Sequence, residues 1–187
     1  LEETAGALAC AVQQGKALYV GISAYSPEKT VEMATVLRAR NVPLLIHQPK
    51  YSLFVREIEN GLFEAVEGVG AGMIAFSPLA QGVLSSRYLD GIPTGSRASR
   101  GTRFLLPAHI TPAVLDKVRA LNEIARARDQ TLAQLAIAWV LRDPRMTSAL
   151  VGASSVEQLR ENVAAVRQPG FSAEELAAID RIAGTAQ

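Results

Sequence analysis

The sequence has a single cysteine, Cys10, in 187 residues. One thiol cannot build a disulfide framework within the chain, nor the cysteine cluster of a zinc site. Histidine is nearly as scarce. His47 and His109 are the only two, and neither has a second ligand at metal spacing, so no metal site is expected. Excess charge is also missing. Lys and Arg number 19 against 18 Asp and Glu, a net charge of +1. That balance gives no strong electrostatic case for nucleic acid or an anionic membrane as partner. No apolar run reaches the ~18 residues of a membrane span. No basic segment leads into an apolar stretch at the start, so no signal peptide is visible. What remains is a mix of 49% hydrophobic and 20% charged residues, as in a globular protein. The expectation is a single cytoplasmic, reduced domain over residues 1–187, large enough to bury a real core.

What the chain does have is alternation. Short apolar runs at 17–23, 44–47, 72–76 and 146–151 read as buried strands. Amphipathic stretches between and around them read as helices: 1–14, 27–40, 57–68, 112–126, 131–141, 155–166 and 172–182. Several carry start signals. Ser26-Pro27-Glu28 supplies a cap, a proline at the first helical position and an early acid. Ser172 with Glu175 forms a capping box. The first helix has no cap before it, and reads as cut rather than started. Its Cys10 reads as a buried or half-buried structural thiol. Strands that alternate with helices predict parallel pairing and right-handed crossovers, with both sheet faces covered. Two architectures fit: an open doubly wound sheet, or half of an eight-stranded (β/α) barrel.

In both architectures ligands bind beyond the carboxyl ends of the strands. The four exits read Ser23-Ala24, His47-Gln48, Phe76-Ser77-Pro78 and Gly152-Ala153-Ser154. Small and polar residues at all four, one of them opening a helix, point to a phosphate-bearing ligand. Gln158 and Asn162 are four apart on that helix and share a face with Glu161 beside it. A well-capped helix with a polar surface explains the same spacing equally well. Phe76 suits either a flat ring or the core. Segment 77–111 lacks periodicity and carries Arg87, Arg97, Arg100 and Arg103. A loop of that length is functional or disordered more often than not. No nucleophile–base pair can be assembled from spacing, and none of the four tyrosines shows an activating partner.

Several stretches resemble the aldo-keto reductase family. They are Tyr19–Ser23, Gln48–Leu53, Ala75–Gly82, Gly91-Ile92-Pro93 with Ser96-Arg97, Thr131–Val140, and Gly152–Ser154 with Gln158, Glu161 and Asn162. The resemblance lies nearest the branch that holds potassium-channel β-subunits and bacterial L-glyceraldehyde 3-phosphate reductases. It implies the carboxyl half, strands five to eight, of a (β/α) barrel that binds NADP(H) and reduces carbonyl substrates. It implies roles too. Ser23 and Gln48 would hold the nicotinamide carboxamide, and Phe76 would stack on the ring. Ser77, Pro78, Leu79, Ala80, Gln81 and Gly82 would line the pyrophosphate, with Arg87 and Arg97 above. Gly152, Ser154, Gln158, Glu161 and Asn162 would hold the adenosine and its 2′-phosphate. Many members have Asn after the first serine, where this chain has Ala24. The family's catalytic Asp, Tyr, Lys and His come from the first four strands, which have no counterpart here. No catalytic residue is therefore assigned, and the chain by itself is expected to be inactive. A catalytically silent regulatory module of the channel β-subunit kind is the alternative. Four strands cut from a barrel would leave two open edges, so a homo-oligomer closing one barrel from two copies is also expected.

Overall fold

The computed structural model describes residues 1–94, 98–99, 105–168 and 170–185. Arg97, Arg100, Arg103 and Ser96 lie outside the described residues. The strands are β1 (Val20–Ser23), β2 (Leu44–Gln48), β3 (Gly72–Phe76) and β4 (Met146–Leu150). All neighbours pair in parallel, in the order β1-β2-β3-β4. A doubly wound sheet reverses its strand order at a switch point. This one does not reverse, as half of a (β/α) barrel requires.

The helices are α1 (Glu2–Gln13), α2 (Pro27–Arg38), α3 (Leu62–Gly68), α4 (Pro112–Ala127), α5 (Leu132–Val140), α6 (Val156–Ala164) and α7 (Ala173–Ala183). Their starts follow the sequence signals. Ser26 accepts the Lys29 amide at 3.3 Å, Thr131 and Gln134 cap each other, and Ser172 and Glu175 do the same. Each cap satisfies donors that the first turn leaves unpaired.

Four expectations change. Helix 57–68 divides: a single 3-10 turn at Glu57–Glu59 is followed by Gly61 at φ +90°, where α3 begins afresh. A left-handed residue cannot continue an α-helix, and glycine takes that conformation without penalty. Strand 17–23 starts only at Val20, because its partner strand starts at Leu44, and Leu18 and Tyr19 are left exposed. Cys10 is exposed, since the face of α1 that packs inward carries Ala5 and Ala9. Finally, among the described residues only one sheet face is fully covered. Val20, Ile22, Leu44, Met73, Ala75 and Met146 are buried under the helices. The alternate positions Gly21, Ser23, Ser148 and Leu150 are exposed on an open face.

The core beneath the helices centres on Trp139, fully buried on α5. Two guanidinium groups lie over its ring: Arg142 at 3.7 Å from the centroid and Arg56 at 4.9 Å. Arg56 ties this layer to the end of α7, donating to Asp180 at 2.6 Å and to the Gly184 carbonyl at 2.7 Å. Burial alone would raise the Glu59 carboxyl, but hydrogen bonds from Arg56, Tyr51 and Arg142 outweigh it and hold Glu59 ionised. Beneath β2, His47 is fully buried. Its Nε2 accepts the Tyr25 amide at 3.3 Å, and its Nδ1 has no partner among the described residues. Burial pushes its pKa below the ordinary 6.5.

The unfolded chain therefore binds a proton at His47 more readily than the folded one. Stability should fall as pH drops through about 6.5 toward the lower folded value. Melting curves across that range test this. His47→Gln should flatten the dependence, and an unchanged slope would remove His47 as its source.

Candidate functional site at the carboxyl rim

The open face is organised in cross-strand rows. Gly21, Ile46 and Gly72 form the lowest, by the pairings of β1, β2 and β3. Backbone approach is close here. A Cβ on Gly21 would sit 2.9 Å from the Ile46 carbonyl, and one on Gly72 would sit 2.8 Å from Thr147 Oγ1. The middle row is Ser23, Gln48, Ile74 and Ser148. Ser23 pairs with Gln48 and Ile74 with Ser148. The β2–β3 register runs unchanged from Ile46↔Gly72 to Lys50↔Phe76, which sets Gln48 opposite Ile74. The upper row is Lys50, Phe76 and Leu150. Side chains opposite one another in register leave the same face, so Ser23, Gln48 and Phe76 share one open surface at the strand ends.

Local chemistry narrows what each group can do. The Ser23 hydroxyl donates to the Gln48 carbonyl at 2.7 Å, and the Ala24 amide donates to that oxygen at 3.3 Å. With its proton committed, Ser23 Oγ is left to accept. After β3 the chain folds into a tight turn: the Ala80 amide donates to the Ser77 carbonyl at 2.9 Å, and Gln81 Nε2 donates to Ser77 Oγ at 2.8 Å. Leu79 and Gly82 are half-buried in this turn and Pro78 is buried. After β4, the Ser154 amide and hydroxyl both donate to Gln158 Oε1 at 2.9 Å. Asn162 is buried on the same helix, and the Glu161 carbonyl accepts Gln134 Nε2 at 3.3 Å. Gly152 is exposed, its φ is not positive, and a Cβ there would meet nothing within 4 Å. Neither conformation nor packing demands glycine at 152, which leaves room for a ligand's approach. Arg87 is exposed on a 3-10 turn at Ser86–Tyr88.

Backbone strain concentrates at the same rim. Six non-glycine residues have positive φ among the described residues. Asn41 and Asp129 are types that tolerate it. The other four are Ala24 (58°), Ser77 (57°), Ala80 (46°) and Gln81 (62°), all at the exits of β1 and β3. Each costs on the order of 1–2 kcal/mol, and such residues gather where function requires a fixed shape. Ala24→Gly should relieve part of this and stabilise the fold by about 0.5–1 kcal/mol, raising Tm by about 1–4 °C. Calorimetry checks it, and a lowered Tm would mean that the left-handed alanine is not strained.

Sequence reasoning missed Lys50, which period-two alternation from Gln48 places on the open face. It also missed Ile74 and Ser148. Metal-ligand clusters are absent among the described residues. No helix among them is long and apolar enough to cross a membrane.

The model of the aldo/keto reductase family matches residues 1–183. The chain belongs to the aldo/keto reductase family. It is 53% identical over 185 residues to an L-glyceraldehyde 3-phosphate reductase of Escherichia coli (strain K12), covering 97% of this chain and 54% of the relative. It is 54% identical, with the same coverage, to the protein of that name from Escherichia coli O157:H7. The chain thus spans about half the length of the relatives it matches. In the family's terms, the sheet is half of its barrel.

Proposed function

We propose that this chain is the NADP(H)-binding half of a cytoplasmic aldo-keto reductase that reduces aldehydes or ketones. The observation that carries this reading is that Ser23, Gln48 and Phe76 leave the same open face in adjacent rows, flanked by strained turns. The residues present fit a nicotinamide nucleotide. Ser23 Oγ, its own proton committed, accepts an amide N–H. The Gln48 side chain supplies both a donor and an acceptor to the same carboxamide. Phe76 offers an apolar ring face. The turn from Ser77 through Pro78, Leu79, Ala80, Gln81 and Gly82 cradles a pyrophosphate, with Arg87 and Arg97 as counter-charges. Gly152, Ser154, Gln158, Glu161 and Asn162 take the adenosine end. A 2′-phosphate there competes with Gln158 for the Ser154 donors. When bound, the reduced nicotinamide supplies a hydride to a carbonyl carbon.

Tyr51 is not placed to donate a proton to the carbonyl oxygen. Tyr51 is buried away from the open face, with its hydroxyl donating to Glu59 at 2.6 Å and accepting from Arg142 at 2.7 Å. Burial and Glu59 hold that phenol protonated well above its usual range, against the opposing Arg142. This favours an inactive half in isolation. It also keeps open the second reading, a nucleotide-binding regulatory module of the channel β-subunit kind. The edges β1 and β4 are open, and α6 exposes Val156, Leu159 and Val163, so association with a second copy or a complementary half follows from the same reading.

Titration of the chain with NADPH, followed by nicotinamide fluorescence, is the test. Saturable binding that is tighter for NADPH than for NADH supports the proposal. A folded chain that binds neither overturns it. NADPH oxidation with an aldehyde, once the complementary half is added, separates the reductase from the regulatory module.

A further inference from the structure

Segments 23–27, 48–52, 76–82 and 150–155 contain Lys50 and no other Lys, Arg, Asp or Glu. Lys50 is exposed and has no ion-pair partner among the described residues.

Its position is fixed by the backbone. The Phe76 amide donates to the Pro49 carbonyl at 2.9 Å, and the Tyr51 amide donates to the Phe76 carbonyl at 3.2 Å. These two bonds bracket Lys50 and make it the parallel partner of Phe76. Pro49 and Tyr51 are buried on the covered side, so alternation sends Lys50 to the open side with Gln48. Neighbouring strands lie ~4.8 Å apart, so the Lys50 side chain leaves the open face at the position next to Phe76.

An ammonium in a row of uncharged groups, with no ion-pair partner among the described residues, attracts an anion. We infer that Lys50 is a specificity-determining residue that binds the carboxylate or phosphate of an acidic carbonyl substrate lying beside the nicotinamide. The inference rests on the reading of this rim as the nicotinamide and substrate end. The same chemistry fits the nicotinamide-side phosphate of the cofactor, so the experiment separates the two sources.

Wild type, Lys50→Met and Lys50→Arg are compared. Lys50 is exposed, so both variants should keep the wild-type circular dichroism. Each protein is titrated with NADPH by fluorescence. The NADPH-free and NADPH-saturated proteins are then titrated with glyceraldehyde 3-phosphate and with uncharged glyceraldehyde by ligand-observed NMR. The expected result is an NADPH Kd within about twofold of wild type in both variants. The phosphorylated aldehyde should bind about tenfold more weakly to Lys50→Met and be largely restored in Lys50→Arg, with glyceraldehyde unchanged. A tenfold loss in NADPH affinity with unaltered aldehyde binding would overturn the substrate assignment and give the anion to the cofactor. Equal binding of the phosphorylated aldehyde to wild type and Lys50→Met would overturn the inference outright. Failure of wild type to bind NADPH would instead remove the proposed function, and the NADPH-free titrations would still decide on Lys50.

Discussion

Trp139→Ala should destabilise the fold by about 3–5 kcal/mol, lowering Tm by roughly 6–20 °C. The side chain is fully buried, so its loss opens a large cavity. Three neighbours deepen the effect. The Tyr51 ring centroid is 5.2 Å away, and the Arg142 and Arg56 guanidinium groups lie against the indole. Without the ring, both cations lose their cation–π contact and face an apolar void. Those same arginines hold Glu59, and Arg56 holds Asp180 on α7, so the damage spreads to the end of the chain. Trp139→Phe keeps an aromatic face and should cost less than half as much. Trp139 is the only tryptophan, so unfolding has to be followed by far-UV circular dichroism rather than fluorescence. A loss below about 1 kcal/mol would show that the site collapses and repacks.

Phe76→Ala should weaken NADPH binding by about 10–100-fold, the equivalent of about 1.5–3 kcal/mol of lost ring contact. The fold should lose much less than at Trp139, because Phe76 is only half-buried, between Lys50 and Leu150. That contrast is the point of the comparison with Trp139. One aromatic ring is held by the core, and the other awaits a partner. Phe76→Tyr retains the flat face and should bind within a few-fold of wild type. A folded Phe76→Ala chain with wild-type affinity would take the stacking role away from this residue.

Much of this architecture was readable from residue order. Caps such as Ser26, Thr131 and Ser172 announce helix starts because their chemistry is local. The alternation of strands and helices gives the parallel sheet for the same reason. What could not be read depends on partners distant in sequence. Leu18 and Tyr19 look like strand because they are apolar, yet no strand lies beside them. The break at Gly61 hides because Ile58, Leu62 and Val66 keep helical spacing through it. Register slips between Val20 and Gly21, and between Met73 and Ile74, shift Leu45 and Thr147 out of the ladder. Only the pairing itself reveals the rows those slips create. Cys10 was different. Its position one residue beyond the inward-facing Ala9 already placed it off the packed stripe of α1. Lys50 was hidden by Pro49, which reads as the end of a strand that in fact continues to pair.

The rows also carry a consequence for motion. Ser23 belongs to β1 and Asn162 to the helix that follows β4, so the two ends of the candidate site lie at opposite sides of the sheet. Edge strands have one neighbour instead of two, and their amides open by the least costly local fluctuations. A molecule that spans from Ser23 to Asn162 acts as a strap across all four strands, pinning both edges at once. Its arrival should be recorded less in the already quiet centre, β2 and β3, than at the margins. Hydrogen exchange should slow together at Val20–Ser23 and Met146–Leu150, segments that share no hydrogen bond with one another.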